Sequence, residues 1–452
     1  MRAFRGLSKR INLKCFWCLL FNRHNATDGV LLQIQQNESP NNKVRKTIQK
    51  KRPACSVVLH HFDQQYSEEL GDLWPSARAV LLNPQSWQYG VMLNRFSTVT
   101  DITDSLLSLG FSSLLPQTTV SSLPHNGAST VSNSKYPEGQ DTFSPHHISE
   151  CSPEDFNLQP EVPFHALNQD PRSEPDLSLY HSSLQCYVHP RRLRFPSQAH
   201  RDGLLKQYYL LNAASLLPVL ALQVRDEERV LDLCSAPGGK AVAIMQSATP
   251  ALLCCNEPDP HRRDWLSKTL ESFLPRSLNN RVIVSAQDGR SFGDSETGFY
   301  DKVLVDAPCS NDRSWLYSSS EQRGEQRLKD RAGLPELQAQ LLRSALSAVR
   351  RGGVVVYSTC TLSNSENGAV VETVLKDFPE AEVEDLWEEI ATPLSKCFTF
   401  SSQAACGQMC TKAPPLLSNS TMSSHSHRLG ILVVPQPDRT WGPMFLSRIR
   451  RK

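Results

Sequence analysis

The sequence predicts an α/β protein with a doubly wound, mostly parallel sheet and a helical N-terminal subdomain. From Arg229 onward, short apolar runs alternate with segments of helical periodicity, as expected of repeated β–α units. Two of the apolar runs end in the dipeptides Pro308-Cys309 and Thr359-Cys360. Because open α/β sheets place their chemistry at the carboxyl ends of parallel strands, both thiols are expected at that edge. Two thiols there, after a glycine-rich loop, suggest covalent catalysis.

The N-terminal segment 1–28 is basic and contains no acidic residue before Asp28. This composition is typical of a mitochondrial transit peptide. A disordered basic tail is one alternative, and Cys15–Phe21 could imitate the apolar part of a secretory signal. We favour the transit peptide, followed by a basic linker over 29–53.

A helical subdomain is predicted over 54–116. Apolar residues recur at helical spacing over 57–74. The segment 77–96 predicts two more short helices, which Asn83-Pro84 separates.

The α/β domain is expected over 184–450 and is bounded by polar segments. Residues 118–183 are too long and too polar to form a packed loop, so they are predicted to be a disordered insertion, and a second one is expected at 401–427. Two strand-like runs in 428–452 predict an antiparallel pair at the sheet edge. The other predicted strands lie within 228–240, 251–259, 280–290, 300–310 and 352–363, and the helices within 241–248, 260–274, 334–350 and 366–378.

Composition limits the classes of function. The net charge of +2 neither supports nor excludes a nucleic-acid partner, so an RNA-binding surface has to be a local patch. The 13 cysteines show neither a disulfide framework nor the paired CxxC spacing of a zinc site, which indicates a reducing compartment and no metal. No run of about 20 apolar residues exists, so no membrane span is predicted.

A segment that precedes the first β–α unit interleaves basic and aromatic residues. Such a mixture can neutralise phosphates and stack on bases. A solvated helix face with core tyrosines explains the residue types equally well. The basic residues are Arg191, Arg192, Arg194, Arg201 and Lys206, and the aromatic ones are Tyr187, Phe195, Tyr208 and Tyr209.

The glycine-rich loop Pro237-Gly238-Gly239 follows the first strand of the α/β domain directly. Glycines at this point let a ligand approach the backbone, and the next helix presents unpaired N–H groups. The loop is not a P-loop, because Ala241 follows Lys240 where Ser or Thr is required, and it lacks the GxGxxG fingerprint.

Acidic residues follow the next two strands. Glu257 could accept hydrogen bonds from ribose hydroxyls, and Asp288, followed by Gly289, could meet the amine of adenine. An acid at a strand end is more often a helix cap or turn former. Because three such features occur on three successive strands without a pyrophosphate loop, we favour S-adenosylmethionine over NAD.

Three motifs together resemble the Sun-domain RNA (cytosine-5) methyltransferases: VLDLCSAPGGK at 230–240, VLVDAPCSNDRS at 303–314 and VVYSTCTLSNSEN at 355–367. Within that family the chain is most similar to the mitochondrial tRNA cytosine-5 methyltransferase branch. The resemblance implies a Rossmann-like class I S-adenosylmethionine-dependent methyltransferase sheet. The two expected insertions depart from the compact form of the family, but they do not interrupt any of the three motifs.

The resemblance also implies a mechanism, in which a thiolate adds to carbon 6 of a flipped-out cytosine and makes carbon 5 nucleophilic. It assigns the nucleophile to Cys360, release of the adduct to Cys309, and contact with the base edge to Asp306. Whether Lys240 faces the cofactor carboxylate or polarises the base stays open. The implied cofactor site comprises Cys234, Ser235, Ala236, Pro237, Gly238, Gly239, Lys240, Glu257, Arg262, Asp288, Gly289 and Asp306.

The expected function is therefore methylation of carbon 5 of a cytosine in RNA, with a mitochondrial tRNA as substrate and the mitochondrial matrix as location. A mitochondrial rRNA is the alternative substrate. A catalytically silent RNA-binding assembly factor is disfavoured, because all of the chemical residues are present. RNA is the expected partner, and the sequence indicates no protein partner.

Overall fold

The computed structural model describes residues 53–115, 183–199, 201, 203–404 and 428–452. The expected transit peptide, nearly all of the linker and most of the two expected insertions lie outside the described residues. The helices are α1 (Ser56–Leu70), α2 (Trp74–Leu81), α3 (Thr100–Ser108), α4 (Leu217–Leu222), α5 (Gly239–Ser247), α6 (Pro260–Phe273), α7 (Phe292–Ser295), α8 (Asp312–Trp315), α9 (Glu321–Arg331), α10 (Leu334–Ala348), α11 (Gly368–Leu375) and α12 (Thr392–Leu394).

Short strands before residue 220 are followed by the strands of the α/β domain. The first group is β1 (Gly90–Leu93), β2 (Ser112–Ser113), β3 (Cys186–Val188) and β4 (Tyr208–Leu211). The second group is β5 (Arg229–Asp232), β6 (Leu252–Asn256), β7 (Val282–Ser285), β8 (Tyr300–Asp306), β9 (Val349–Thr359), β10 (Ala381–Glu384), β11 (Phe400–Ala404), β12 (Arg428–Val433) and β13 (Met444–Arg451).

The second group forms one nine-stranded sheet in the order β11-β12-β13-β9-β8-β5-β6-β7, with β10 beside β13. Strands β5 to β9 are parallel, and β10 to β13 pair antiparallel. The predicted doubly wound, mostly parallel sheet is confirmed. The strand order reverses at β5 and β8, and ligands of open α/β sheets bind at such a switch point.

Strand register brings the expected site loops to one edge. Asp232 at the end of β5 pairs with Leu304 on β8, and Asp306 at the end of β8 pairs with Ser358 on β9. The loops that follow β5, β8 and β9 therefore begin side by side.

Buried strands separate two hydrophobic layers. Val303 and Val305 on β8 belong to the layer that includes residues of α1, α10 and α11, whereas Leu304 belongs to the layer that includes residues of α4, α5 and α6. Because side chains alternate along a strand, these near-continuous apolar runs fill both layers. All three side chains are fully buried, so the edge that holds the loops is rigidly supported.

A smaller antiparallel sheet, in the order β2-β3-β1-β4, corrects the prediction of two helices within 77–96. Helix α2 ends at Leu81, just before Asn83-Pro84, but Gly90–Leu93 forms β1 between β3 and β4. A fully buried four-residue apolar run has no periodicity that separates strand from helix. Its tertiary partners decide its conformation.

The C-terminal part of the sheet also differs from expectation. Strands β12 and β13 are antiparallel as predicted, but β13 lies between β9 and β12, and β11 forms the edge. Residues 401–404, which were expected to begin the second insertion, continue β11 because they pair with β12. The rest of that insertion lies outside the described residues. No helix in the described ranges is long and apolar enough to cross a bilayer.

Candidate active site

The two cysteines of the dipeptide motifs are in contact. The Sγ atoms of Cys309 and Cys360 lie 3.2 Å apart, and the backbone N–H of Cys360 donates to Cys309 Sγ at 3.3 Å. Both are free thiols; Cys309 is buried and Cys360 is partly exposed. The structure therefore brings together the loops after β8 and β9, and only one of the two thiols faces the outside.

The environment of Cys309 favours its protonated form. The hydrogen bond with Cys360 and then burial raise the pKa of Cys309 well above its ordinary value. At neutral pH, Cys309 is thus an S–H group beside Cys360.

A buried carboxylate, Glu366, joins the two cysteine loops. Its oxygens accept from the backbone N–H of Ser310 at 2.9 Å and from the Ser310 hydroxyl at 2.6 Å. Gln338 Nε2 donates to the same carboxylate at 3.1 Å and to the carbonyl of Pro308 at 2.8 Å. The residues on both sides of Cys309 are consequently held by groups from α10 and from the segment after β9.

Asp312 performs the same task for the Cys360 loop. It accepts from the Thr361 hydroxyl at 2.9 Å and from the Leu362 N–H at 2.7 Å. Burial raises the pKa of Asp312 to about 6, although neighbouring charge and hydrogen bonds oppose the shift. Tyr66 of α1 donates to this carboxylate at 2.9 Å, and Arg331 bridges Tyr66 Oη at 2.9 Å to Glu366 at 3.1 Å. The N-terminal helix α1 is therefore part of the support of the two thiols.

The glycine loop lies at the switch point of the sheet. Gly238 has φ +103°, a conformation that favours glycine, and a Cβ on Gly239 would lie 3.2 Å from Tyr209 Oη. A cavity of about 200 Å³ opens here. Its wall consists of Tyr209, Leu210, Leu211, Ser215, Asp232, Cys234, Ser235, Ala236, Pro237, Gly239, Lys240 and Asp306.

An ion pair connects this cavity to the cysteine strand. Lys240 Nζ lies 2.7 Å from Asp306 Oδ2, and the Ser358 hydroxyl donates to Asp306 Oδ1 at 3.0 Å. Burial disfavours the charged form of Lys240, but the Asp306 carboxylate outweighs it, so the pKa of Lys240 is raised. Lys240 is thus a cation between the cavity and Cys360.

Glu257 and Arg262 lie behind the loop. Arg262 Nη1 is 2.8 Å from Glu257 Oε2, and Arg262 Nη2 donates to the Ala236 carbonyl at 2.8 Å. Burial raises the pKa of Glu257, and Arg262 opposes that rise. The pair ties the end of β6 to the glycine-rich loop, although Glu257 is not among the residues that line the cavity.

Asp288 and Gly289 are farther out. The Asp288 side chain is 53% exposed and pairs with Arg290 at 2.5 Å, a contact that lowers the pKa of Asp288. A Cβ on Gly289 would approach Leu341 to 2.7 Å, so that glycine serves packing. Neither residue lines the cavity.

Sequence reasoning missed Asp232. This carboxyl is fully buried at the cavity wall, accepts from the Ser235 hydroxyl at 2.8 Å, and its Oδ1 has no hydrogen-bond partner among the described residues. Burial raises its pKa to about 7. The feature of the sequence that could have identified Asp232 is its position as an acidic residue inside the apolar run VLDL at 230–233. An orphaned acceptor beside a glycine cradle fits a nucleoside ligand that carries an ammonium group.

The sequence left two roles open for the basic and aromatic segment, an RNA-binding surface or a solvated face with core tyrosines. In the structure the aromatic and the basic residues lie in different environments. Tyr187, Phe195 and Tyr208 are buried in the core of the small sheet. Tyr209 packs against the glycine-rich loop at Gly239. By contrast, Arg191, Arg192 and Arg194 are exposed.

Known proteins share both sequence and fold with this chain. The family model for 16S rRNA methyltransferase RsmB/F matches residues 219–403. A mitochondrial tRNA (cytosine(34)-C(5))-methyltransferase of Danio rerio is 44% identical over 97% of this chain and 97% of its own length. The 5-cytosine rRNA methyltransferase NSUN4 of Xenopus tropicalis is 34% identical over 100% of each chain. The solved structure of PH0851 has a TM-score of 0.50 at 16% identity, covering 92% of this chain and 70% of that one.

The strand order and the cavity at the switch point are those of a class I methyltransferase fold, and the solved structure shares that fold. The chain belongs to the Sun-domain RNA (cytosine-5) methyltransferases, as its three motifs predicted. It is therefore an enzyme of the RNA (cytosine-5) methyltransferase class.

Proposed function

We propose that this enzyme transfers a methyl group from S-adenosylmethionine to carbon 5 of a cytosine in a mitochondrial tRNA. The contact between Cys309 and Cys360 carries the proposal. A cytosine ring needs a soft nucleophile at carbon 6 before carbon 5 can accept a methyl group, and the partly exposed thiol of Cys360 is placed for that addition. A buried second thiol in contact with the nucleophile suits a reaction in which the adduct must also be released.

Cys360 attacks carbon 6 as the thiolate and forms a carbon–sulfur bond, which places negative charge on the ring. Asp306 accepts a hydrogen bond from the amino group of cytosine, and Lys240, 2.7 Å from Asp306, stabilises the added charge. Carbon 5 then has enamine character and would be ready for the electrophilic methyl group that a bound cofactor supplies, whose bond to sulfur would break as the bond to carbon 5 forms.

Release of the product breaks the carbon–sulfur bond that Cys360 formed in the first step. Once a water molecule has taken the proton from carbon 5, the electron pair of that C–H bond restores the double bond between carbons 5 and 6, the carbon–sulfur bond breaks, and Cys360 leaves as a thiolate. Cys309 is protonated and 3.2 Å away, so it donates a hydrogen bond to the departing sulfur. Without this donor the adduct is expected to persist.

The cofactor supplies the electrophilic methyl group when it is bound. The loop Cys234–Lys240 would hold it, with the Asp232 carboxyl oxygen as acceptor for its ammonium group. Glu257 would receive the ribose once the Arg262 contact opens, and Asp288 and Gly289 would border the adenine.

A tRNA in the mitochondrial matrix is the substrate that we favour. The Danio rerio relative and a Mus musculus relative, 40% identical over 88% of this chain and 91% of its own length, are both named as mitochondrial tRNA (cytosine(34)-C(5))-methyltransferases. Mitochondrial rRNA is the second candidate, supported by the lower identity of 34% to the NSUN4 protein.

Bisulfite sequencing of mitochondrial RNA from cells with and without the gene tests the substrate. We expect one tRNA cytosine to lose its protection from conversion. Loss at an rRNA cytosine alone would establish the second candidate, and unchanged protection in every mitochondrial tRNA would contradict the first. Binding of S-adenosylmethionine without methyl transfer to any RNA would indicate a silent RNA-binding protein.

A further inference from the structure

An arginine guanidinium lies over each of two aromatic rings in the N-terminal part of the described chain. The guanidinium of Arg313 lies 4.3 Å from the ring centre of Trp87, and that of Arg194 lies 4.8 Å from the ring centre of Tyr89. The arginines come from different segments, since Arg313 follows the Cys309 loop and Arg194 precedes β4. We call Trp87, Tyr89, Arg194 and Arg313 the arginine–aromatic cluster.

The segment that bears the two rings is fixed in place. Between them, Gln88 is buried and its side chain donates to the carbonyls of His189 and Pro190 at 3.0 and 3.1 Å. Its backbone N–H donates to the Thr440 hydroxyl at 2.9 Å, and its side-chain oxygen accepts from the Thr440 N–H at 2.9 Å. The rings are thus presented at set positions, which a binding platform requires.

Among the described residues, neither arginine has an acidic partner. In the part of the chain that the structure describes, neither Arg194 nor Arg313 forms an ion pair with a carboxylate. Arg313 donates through Nη2 to the Thr440 carbonyl, but its Nε is buried and has no hydrogen-bond partner among the described residues. A desolvated donor on an uncompensated cation is costly unless an anion arrives.

The cluster lies beside the reaction centre. Burial lowers the pKa of Arg313 to about 10, and attraction to Tyr89 and to Cys360 partly offsets that shift. Asp312, the residue before Arg313, accepts from the Thr361 hydroxyl at 2.9 Å and from the Leu362 N–H at 2.7 Å, and both of these residues follow Cys360. Trp87, Tyr89 and Arg194 precede the stretch 219–403 that the family model matches.

We propose that the arginine–aromatic cluster binds the phosphates of the nucleotides that flank the target cytosine. The inference rests on the proposed function in taking RNA as the substrate. Each guanidinium lies over an aromatic ring and would donate N–H groups to a phosphate oxygen. Flanking phosphates held in this way would keep the extruded cytosine over Cys360.

Binding of a short single-stranded RNA tests the cluster independently of catalysis. The probe is an eight-nucleotide RNA with one cytosine, measured by fluorescence anisotropy over a series of salt concentrations with the full-length protein. Arg194→Gln and Arg313→Gln are each expected to reduce the slope of log K against log salt by about 0.7, the value for one phosphate contact to a single strand. Slopes equal to that of the unmodified protein would overturn the proposal.

Arg95→Gln is the matched control. Arg95 also stacks on an aromatic ring, Phe96 at 4.7 Å, and donates to a backbone carbonyl, that of Ala248 at 2.7 Å. It is expected to leave the salt slope unchanged. An equal loss of slope in Arg95→Gln would contradict a specific site at Arg194 and Arg313.

Neutral methylphosphonate linkages test the same site from the RNA side. Replacing the phosphates next to the cytosine should weaken binding to the unmodified protein by about 10-fold and have almost no further effect on Arg313→Gln. If Arg313→Gln does not fold, Arg194→Gln and the neutral linkages with the unmodified protein decide the question. An unmodified protein that binds neutral and charged probes equally would overturn the proposal.

The two proposals fail in different ways. Arginine-dependent binding without methyl transfer would contradict the proposed function and support the phosphate site. Normal methyl transfer with unchanged salt slopes in both variants would support the proposed function and contradict the phosphate site.

Discussion

Lys240 Nζ lies 2.7 Å from Asp306 Oδ2, so one ion pair links the cofactor loop to the strand that leads to Cys309. Asp306 also pairs in register with Ser358, two residues before Cys360. The cavity and the two thiols therefore share a single charged contact at the switch point of the sheet. In the proposed reaction, the methyl donor binds on one side of this contact and the cytosine on the other.

Lys240→Met should lower kcat/KM for methyl transfer by about 100-fold, because the cation that stabilises charge on the ring is lost. Single-turnover methyl transfer with saturating RNA and cofactor measures the effect. Lys240→Arg keeps the charge and should retain more activity. Equal activity of Lys240→Met and the unmodified enzyme would show that the ion pair has no part in the reaction.

Asp232→Asn should change how folding stability depends on pH. Because burial raises the pKa of Asp232 to about 7 from 3.8, the folded state retains a proton that the unfolded chain releases between those values. The stability contribution of this group is full below about pH 4, falls as the pH rises, and is lost above about pH 7.

The variant removes that loss, so urea unfolding without cofactor should give it a free energy of unfolding about 1–3 kcal/mol above the unmodified protein at about pH 8, and no advantage at about pH 4. Isothermal titration should show weaker S-adenosylmethionine binding. A stability difference that does not vary with pH would contradict the burial of an ionisable carboxyl.

Tyr66→Phe removes the hydroxyl that donates a hydrogen bond to Asp312 and accepts one from Arg331. Leaving those buried charged groups unsatisfied should cost about 1–3 kcal/mol of unfolding free energy and reduce kcat more than cofactor affinity. Tyr317→Phe is the control, since its hydroxyl donates to the Leu81 carbonyl at 3.1 Å and not to Asp312 or Glu366. Equal kcat values for the two variants would mean that α1 does not position the cysteine loops.

The sequence was sufficient to predict the parts of the site that lie on neighbouring strand ends. Cys309 and Cys360 follow long apolar runs, and the carboxyl ends of parallel strands meet at one edge whatever the details of packing. The glycine loop was equally readable, because its residues are contiguous. Such features depend on local pattern alone.

Features that depend on distant partners were not readable. Tyr66 and Arg331 are 265 positions apart, and no periodicity in the sequence indicates that they belong to one buried hydrogen-bond network. The strand Gly90–Leu93 was mistaken for a helix because its neighbours in the sheet come from far along the chain. For the same reason Asp232 was passed over, since its importance arises from the cavity that other segments complete.

The most direct measurement is trapping of the covalent RNA adduct with cysteine variants. The full-length enzyme, Cys309→Ala and Cys360→Ala are incubated with substrate RNA and S-adenosylmethionine and then separated on a denaturing gel. Cys397→Ala, at a half-buried thiol outside the cavity wall, is the control and should behave as the unmodified enzyme. Cys309→Ala should accumulate an adduct, and Cys360→Ala should give neither adduct nor methylated RNA. An adduct that forms with Cys360→Ala and not with Cys309→Ala would reverse the assignment of the two thiols.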